Sequence, residues 1–273
     1  MLARYLLVPL LLLAMPAVAA EPLESIPPIE RRIPPAGIEV PAAELERLQQ
    51  RLVELQQQLA KYQDHELEAD VAIYTKAVAW ALKFGEFYNS KDTAKANRLL
   101  DEAGRRLELI SAGKTDWTNT TGLVVRGYRS SIDGSVQPYG LEIPEDFSPD
   151  RTTPLYVWLH GRGDKTTDMH FIDQRQTRTG RIAPAGAIIL HPFGRHCMGF
   201  KSAGEIDVLE SVANVSSRYS IDPNRIVLMG FSMGGAGAWH IGAHHVDRWV
   251  AISPGAGFAE TARYNKLTPE NYP

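Results

Sequence analysis

Four short apolar runs decide what this chain can fold into: residues 154–160, 187–191, 225–229 and 249–253. Each has the length of a strand, is rich in Val, Ile and Leu, and is bounded by glycine or polar turns. A half-exposed strand would alternate apolar and polar residues, so unbroken runs point to strands buried on both faces of a parallel sheet. Residues 204–219 read as the helix before the third run, with Ile206, Leu209, Val212 and Ala213 on one face. Pro223, in Ile221-Asp222-Pro223-Asn224, marks the turn that follows. Upstream, residues 122–129 and 137–143 flank Asp133-Gly134, a hairpin turn because glycine accepts positive φ. Strand and helix in alternation predict an α/β fold, a mostly parallel sheet with flanking helices and an antiparallel N-terminal hairpin.

The residues ahead of that hairpin have a different character. Residues 1–20 hold one positive charge, Arg4, then an apolar run, Pro16, and the small residues Ala17-Val18-Ala19-Ala20. The apolar run is about ten residues, too short for a hydrocarbon core of about 30 Å. Small residues fit a signal peptidase pocket, so the segment reads as a signal peptide of a secreted or periplasmic protein, with no membrane contact after cleavage. An uncleaved anchor is the alternative. Residues 21–41 carry Pro22, Pro27, Pro28, Pro34, Pro35 and Pro41, the composition of an extended linker.

From residue 42 to 113 the periodicity is helical. Leu45, Leu48, Leu52, Leu55, Leu59 and Tyr62 recur at threes and fours, the spacing of a heptad seam. About three heptads are marginal for a free-standing coiled coil, so the seam either folds back on the protein or joins a second copy in a homodimer. A second run includes Val71, Tyr74, Val78 and Leu82, and a third spans residues 94–110 and ends at Gly113. Nothing in these helices looks like chemistry, which leaves a cap or dimerisation element. The α/β region occupies residues 117–273.

Composition removes several function classes. With 29 Lys+Arg against 32 Asp+Glu, a net charge of −3, the chain lacks the basic excess of a nucleic-acid binder. Its one cysteine, Cys197, excludes an intramolecular disulfide and a cysteine-rich zinc site.

The chemistry sits in two motifs. Gly230-Phe231-Ser232-Met233-Gly234 fits G-x-S-x-G, between the apolar run ending at Met229 and the small-residue helix start Gly234-Gly235-Ala236-Gly237-Ala238. A serine on so sharp a turn is strained, and its neighbours at −2 and +2, Gly230 and Gly234, must lack bulk. The turn lifts the hydroxyl above the sheet edge to a helix N-terminus that favours developing negative charge. The second motif, Leu159-His160-Gly161-Arg162-Gly163-Asp164, follows an earlier strand. There the glycines let backbone N–H groups approach a reacting carbonyl, so the Arg162 amide in the Gly161 bend would pair with the Met233 amide as an oxyanion hole. Gly163-Asp164-Lys165-Thr166 lacks the glycine before lysine of a phosphate loop. His160 reads as a structural histidine at a strand end.

Together with Ile221-Asp222-Pro223-Asn224-Arg225 and Ser253-Pro254-Gly255-Ala256, these motifs make the stretch from about Tyr139 to Phe258 resemble secreted α/β-hydrolases of the esterase, polyhydroxybutyrate-depolymerase and feruloyl-esterase type. It is also similar to the catalytic domain of the prolyl oligopeptidase family, without a propeller. The resemblance implies a serine hydrolase acting on a small-molecule ester or a peptide, with Ser232 as nucleophile and no metal or organic cofactor. It also implies an acid and then a histidine after later strands. His240, His244 and His245 come too early, on the helix leading away from the serine. Glu260 and Glu270 are the acids after the last apolar run, with no histidine beyond them. A truncated gene product is therefore expected rather than a degenerate, non-catalytic binding or scaffold protein, because both motifs are intact. Arg195, His196 and Phe200 follow a strand at the same sheet edge and are candidates for the substrate cleft. Asp207 reads as a cap or loop tether, and Trp239 and Trp249 as packing residues.

Overall fold

A computed structural model describes residues 33–182, 184–260 and 264. The signal-peptide reading and most of the linker lie outside the described residues, as do 261–263 and 265–273. Six strands form one mixed sheet: β1 (Gly122–Arg129), β2 (Val136–Ile143), β3 (Thr153–Leu159), β4 (Ile188–Pro192), β5 (Ile221–Phe231) and β6 (Ala251–Gly255). Their spatial order is β1-β2-β4-β3-β5-β6. The hairpin β1–β2 is antiparallel and β2 joins β4 antiparallel, whereas β4, β3, β5 and β6 run parallel. This is the expected α/β sheet with its antiparallel N-terminal hairpin. After β3 the chain moves one way across the sheet to β4, and then returns past β3 to β5. The carboxyl ends of β3 and β5 are therefore a topological switch point, the place where open α/β sheets bind ligands.

The parallel strands are less uniformly buried than their composition suggests. Burial alternates along β3, whose Leu155, Val157 and Leu159 enter a core with Ile188, Leu190, Ile226 and Leu228. β6 departs furthest from the expectation of two covered faces. It is the last strand in the order, its Ala251 and Ile252 are exposed, and Val250 just before it is 62% exposed. Among the described residues no strand lies beyond β6, so that side has no neighbour whose flanking helices would cover it.

Helix α5 (Ala203–Arg218) turns a different face inward from the one its apolar residues mark. Gly204, Asp207, Val208, Ser211, Val212 and Val215 are buried, while Ile206 and Ala213 are exposed. The buried Asp207 carboxylate sets this rotation, because it is hydrogen-bonded inside the fold.

The three upstream helices form a layer on the hairpin side. They are α1 (Ala42–Leu59), α2 (Glu68–Phe84) and α3 (Asp92–Ser111). Leu48, Leu52, Leu55 and Leu59 of the heptad seam are buried against α2 and α3, with Leu45 and Tyr62 packed at the margin. The seam is thus taken up inside the chain, and a homodimer through it would have to withdraw these leucines from their own core. That core continues into Val125 and Val136 of the hairpin and into Met169, Phe171 and Ile172 of α4 (Asp168–Thr177).

One buried ion pair fastens the helical layer to the sheet. Asp70 of α2 and Arg126 of β1 are both essentially inaccessible, and Asp70 Oδ2 accepts from Arg126 Nε at 3.0 Å and Nη2 at 2.8 Å. The same carboxylate accepts Trp117 Nε1 at 2.9 Å and the Gly127 amide at 2.8 Å. Burial pushes the Asp70 carboxyl up, yet the charges of Arg126 and Arg106 outweigh it and hold it below the ordinary value. Asp70→Ala would leave the Arg126 charge buried and unpaired, so a loss of about 3–5 kcal/mol is expected in urea unfolding.

Asp92, at the start of α3, plays a similar part toward α4. Its carboxylate accepts the Tyr88 amide at 2.6 Å and His170 Nε2 of α4 at 3.0 Å, with Lys95 Nζ at 2.8 Å. Burial would raise this carboxyl, but Lys95, His170 and the Tyr88 amide bring it down to about 2. A depressed carboxyl stabilises the fold above its unfolded value near 4 and loses that contribution as pH falls toward 2. In acid titrations of stability, Asp92→Asn should remove about 2 kcal/mol of the loss between about pH 4 and pH 2.

Candidate active site

β5 delivers the chain into Ser232, and α6 (Met233–His244) begins at the next residue. Ser232 stands at φ 56° and ψ −115°, a conformation that costs a residue with a Cβ about 1–3 kcal/mol. Backbone bonds hold it there. Its N–H donates to the Gly255 carbonyl of β6 at 2.9 Å, and its own carbonyl accepts the Ala236 amide at 3.0 Å as the first bond of the helix. The serine is exposed, and no side chain among the described residues hydrogen-bonds its hydroxyl.

The glycines around the serine answer to close backbone approach. A Cβ on Gly234 would collide with the carbonyls of Leu159 and His160, and one on Gly230 with the backbone of Gly234. Gly235 meets Gly255 and Gly257 in the same way. The ends of β3, β5 and β6 are consequently drawn together around the first turn of α6. Register agrees: Leu159 pairs with Gly230, and Gly230 with Pro254.

This brings the His-Gly loop to the serine. The Cβ position of Gly161 lies 3.9 Å from Ser232 Cβ and 3.6 Å from the Phe231 carbonyl oxygen. Arg162 is exposed, and its guanidinium turns onto Asp164 of the same loop, at 2.5 Å for Nε. Met233 opens α6, where the first amides of a helix have no intrahelical acceptor. His160 is a clamp: its Nδ1 lies 2.8 Å from the Gly161 carbonyl and its Nε2 3.0 Å from that of Phe193. Burial keeps this ring below its usual pKa, and a neutral imidazole donates to only one of the two carbonyls.

The loop after β4 fits the cleft expectation only in part. His196 is half-buried, with Nε2 3.2 Å from the Gly163 carbonyl, and so lies against the His-Gly loop. Phe200 does not line a cleft. It is 1% exposed, wedged beneath Gly194 and Gly237 and edge-on to His160 at 5.1 Å between ring centroids. Arg195 is turned to the hairpin, where Nη1 meets Asp133 Oδ2 at 2.7 Å. Both depart from the cleft because each has a better partner: an apolar slot made by two glycines, and a carboxylate on the turn.

Asp207 is the tether of this loop. Its Oδ2 accepts the Gly194 amide at 2.7 Å and its Oδ1 lies 2.6 Å from the Tyr128 hydroxyl. Burial pushes its carboxyl up to about 6. The Tyr128 hydroxyl donates to Oδ1, with the Asp207 carbonyl 3.1 Å away as a second acceptor, so this bond and the Gly194 amide both favour the charged form against burial. The close packing of Gly235 on Gly257 was missed in the sequence, where Gly255-Ala256-Gly257 was the available signal.

No protein-family profile matches the sequence, and no curated protein matches it. Among solved structures, a thermostable esterase is 24% identical with a TM-score of 0.41, over 54% of this chain and 44% of that one. S-formylglutathione hydrolase (FrmB) from Staphylococcus aureus is 20% identical with a TM-score of 0.39, over 55% of this chain and 63% of that one. A CE1 ferulic acid esterase from the anaerobic fungus Anaeromyces mucronatus is 18% identical with a TM-score of 0.36, over 50% and 58%. The chain spans less than two thirds of the length of each.

Gly234→Ala and Gly161→Ala separate close packing from mere proximity. The first drives a methyl into two carbonyls and should destabilise by at least about 1–3 kcal/mol. The second meets only ordinary van der Waals neighbours, so its melting curve by circular dichroism should overlie that of the unaltered protein.

Proposed function

We propose that the chain is an exported serine hydrolase that cleaves an ester or peptide acyl bond through an acyl-enzyme on Ser232. The observation that carries this reading is an exposed serine hydroxyl on a strained strand-to-helix turn, with the Gly161 bend beside it. A strained nucleophile at a helix N-terminus is pre-positioned for attack, and the geometry needs no rearrangement to present it.

In the proposed reaction the Ser232 oxygen bonds to the acyl carbon and gives up its proton to a base. The carbonyl oxygen takes the negative charge, which the amides of Met233 and Arg162 stabilise. Collapse of that intermediate expels a protonated alcohol or amine and leaves the acyl group on serine, and water then releases the acid. The residues in place require no metal for these steps. His160 and His196 are each engaged with backbone carbonyls, so neither is aimed at the serine as its base. Export rests on the pattern of residues 1–20, and none of the described helices is long and apolar enough to cross a membrane.

A second reading, a non-catalytic binding or scaffold module, is favoured by one observation: among the described residues no imidazole lies on the Ser232 hydroxyl. Covalent labelling separates the two. Serine sites lacking a triad member still act about 10³–10⁴-fold above water through the oxyanion hole and binding, so a fluorophosphonate should add slowly to the purified chain. Intact mass should show one adduct, lost in Ser232→Ala. An unlabelled parent protein would favour the binding module, and equal labelling of Ser232→Ala would place the nucleophile elsewhere.

A further inference from the structure

Three histidines at the far end of α6 converge on one carboxylate. His240 Nε2 lies 2.9 Å from Glu205 Oε2, and His244 Nδ1 lies 2.9 Å from Glu205 Oε1. His245 Nε2 approaches the same Oε1 at 3.1 Å. Glu205 belongs to the first turn of α5, whereas the histidines end α6. Two helices that are distant in sequence thus place a two-imidazole, one-carboxylate donor set in one spot, with His245 touching the same carboxylate. This is a separate place from the serine, because His240 is about 12 Å along the helix at 1.5 Å per residue.

We propose that Glu205, His240 and His244 form a binding site for a zinc-type divalent cation, with water to complete its coordination. Residues four apart on a helix share a face, so His240 and His244 present their rings together, the spacing that zinc-binding helices use. One donor atom from each of Glu205, His240 and His244 lies within 4.8 Å of the others. Zinc bound tetrahedrally at about 2.0–2.2 Å from nitrogen and oxygen sets neighbouring donors about 3.4 Å apart. The contacts at 2.9 Å and the outer limit of 4.8 Å straddle that spacing.

The surroundings suit a cation as well. Glu205 is 14% exposed in its side chain and His244 52%, so the carboxylate is sheltered while solvent reaches the imidazoles and provides an entry path. The carbonyl end of α6 carries partial negative charge, and the amide end of α5 supports the carboxylate. Each ring faces the carboxylate through one nitrogen, which donates when it carries the proton. A neutral ring needs only to move that proton to its other nitrogen to become a ligand. Imidazole with carboxylate selects zinc, copper or nickel over calcium or magnesium. Bound metal would pin the end of the serine-bearing helix to the start of α5, which makes it a structural clip rather than a part of the acyl chemistry.

The test uses the untagged chain, stripped with EDTA and titrated with Zn²⁺ alone by calorimetry, with Co²⁺ absorption as a report on geometry. One equivalent should bind with a Kd in the micromolar range or tighter. At a hundredfold excess over Kd the melting temperature should rise by about 5–10 °C. Outer and inner ligand losses typically weaken binding at least 10–100-fold, so His240→Ala, His244→Ala and Glu205→Gln should each do so and abolish the thermal shift. Melting of each variant without metal, compared with the parent, reports whether it is folded. Stoichiometric binding that survives the His240→Ala/His244→Ala double variant would overturn the assignment. So would the absence of any thermal shift in the parent, which would make the cluster a hydrogen-bonded clasp only. Neither readout involves Ser232, and the titration can be repeated on Ser232→Ala.

Discussion

Backbone meets backbone where α6 begins, and the arrangement of the candidate site depends on that contact. Gly234 lies against the carbonyls that end β3, Gly230 against Gly234, and Gly235 against the strand end of β6. No side chain larger than hydrogen fits between these segments. The consequence reaches beyond packing: with three strand ends gathered around one helical turn, Ser232 and Gly161 have to be neighbours. The strain at Ser232 is sustained by the same contacts, since its amide is bonded to Gly255 and its carbonyl begins the helix.

A second constraint joins the helical layer to the hairpin. Asp70 gathers Arg126, Trp117 and the Gly127 amide at one buried point, so α2, β1 and the segment between α3 and β1 are joined through a single carboxylate. A buried pair seldom exceeds the stability of a well-packed apolar substitute, yet it tolerates only one relative placement of its partners. Here that selectivity fixes the orientation of α2 on the hairpin. The aromatic face of Tyr219, 5.9 Å from the Arg126 guanidinium, extends the same point toward the end of α5.

The parallel strands and the serine turn were legible because each needs a residue pattern that little else produces: an apolar run of strand length, and glycines flanking a serine after such a run. The face of α5 was not legible. Its inward side is set by Asp207, a charged residue whose partners, Tyr128 and Gly194, come from elsewhere in the chain. Apolar spacing therefore pointed to Ile206 and Ala213, which face solvent. The same limit applied to Arg195 and Phe200, since the sequence places them at the right sheet edge but cannot show that Asp133 and a glycine-lined slot take them away from it. Leu48, Leu52, Leu55 and Leu59 of the heptad spacing lie on one buried face of α1. Which surface it meets is a tertiary choice, made here by the small and apolar faces of α2 and α3.

The segment between β4 and α5 gathers four further strained residues. Arg195, His196, Phe200 and Ser202 all have φ between 50° and 69°, a region that costs non-glycine residues about 1–3 kcal/mol each. Such a loop persists only if its surroundings over-determine it. Arg195 is held by Asp133, His196 by the Gly163 carbonyl, Phe200 by burial under two glycines, and Gly194 by Asp207. Two of these anchors, the Gly163 carbonyl and the slot at Gly237, belong to the elements that frame Ser232. The strained loop and the strained serine therefore share supports, and a change that relaxes one removes a constraint on the other. With Glu205 lying just past Ser202, the clasp at the far end of α6 completes the circuit: α6 is fixed at its first turn by backbone contact and at its last by a carboxylate, so the helix that presents the serine is held at both ends.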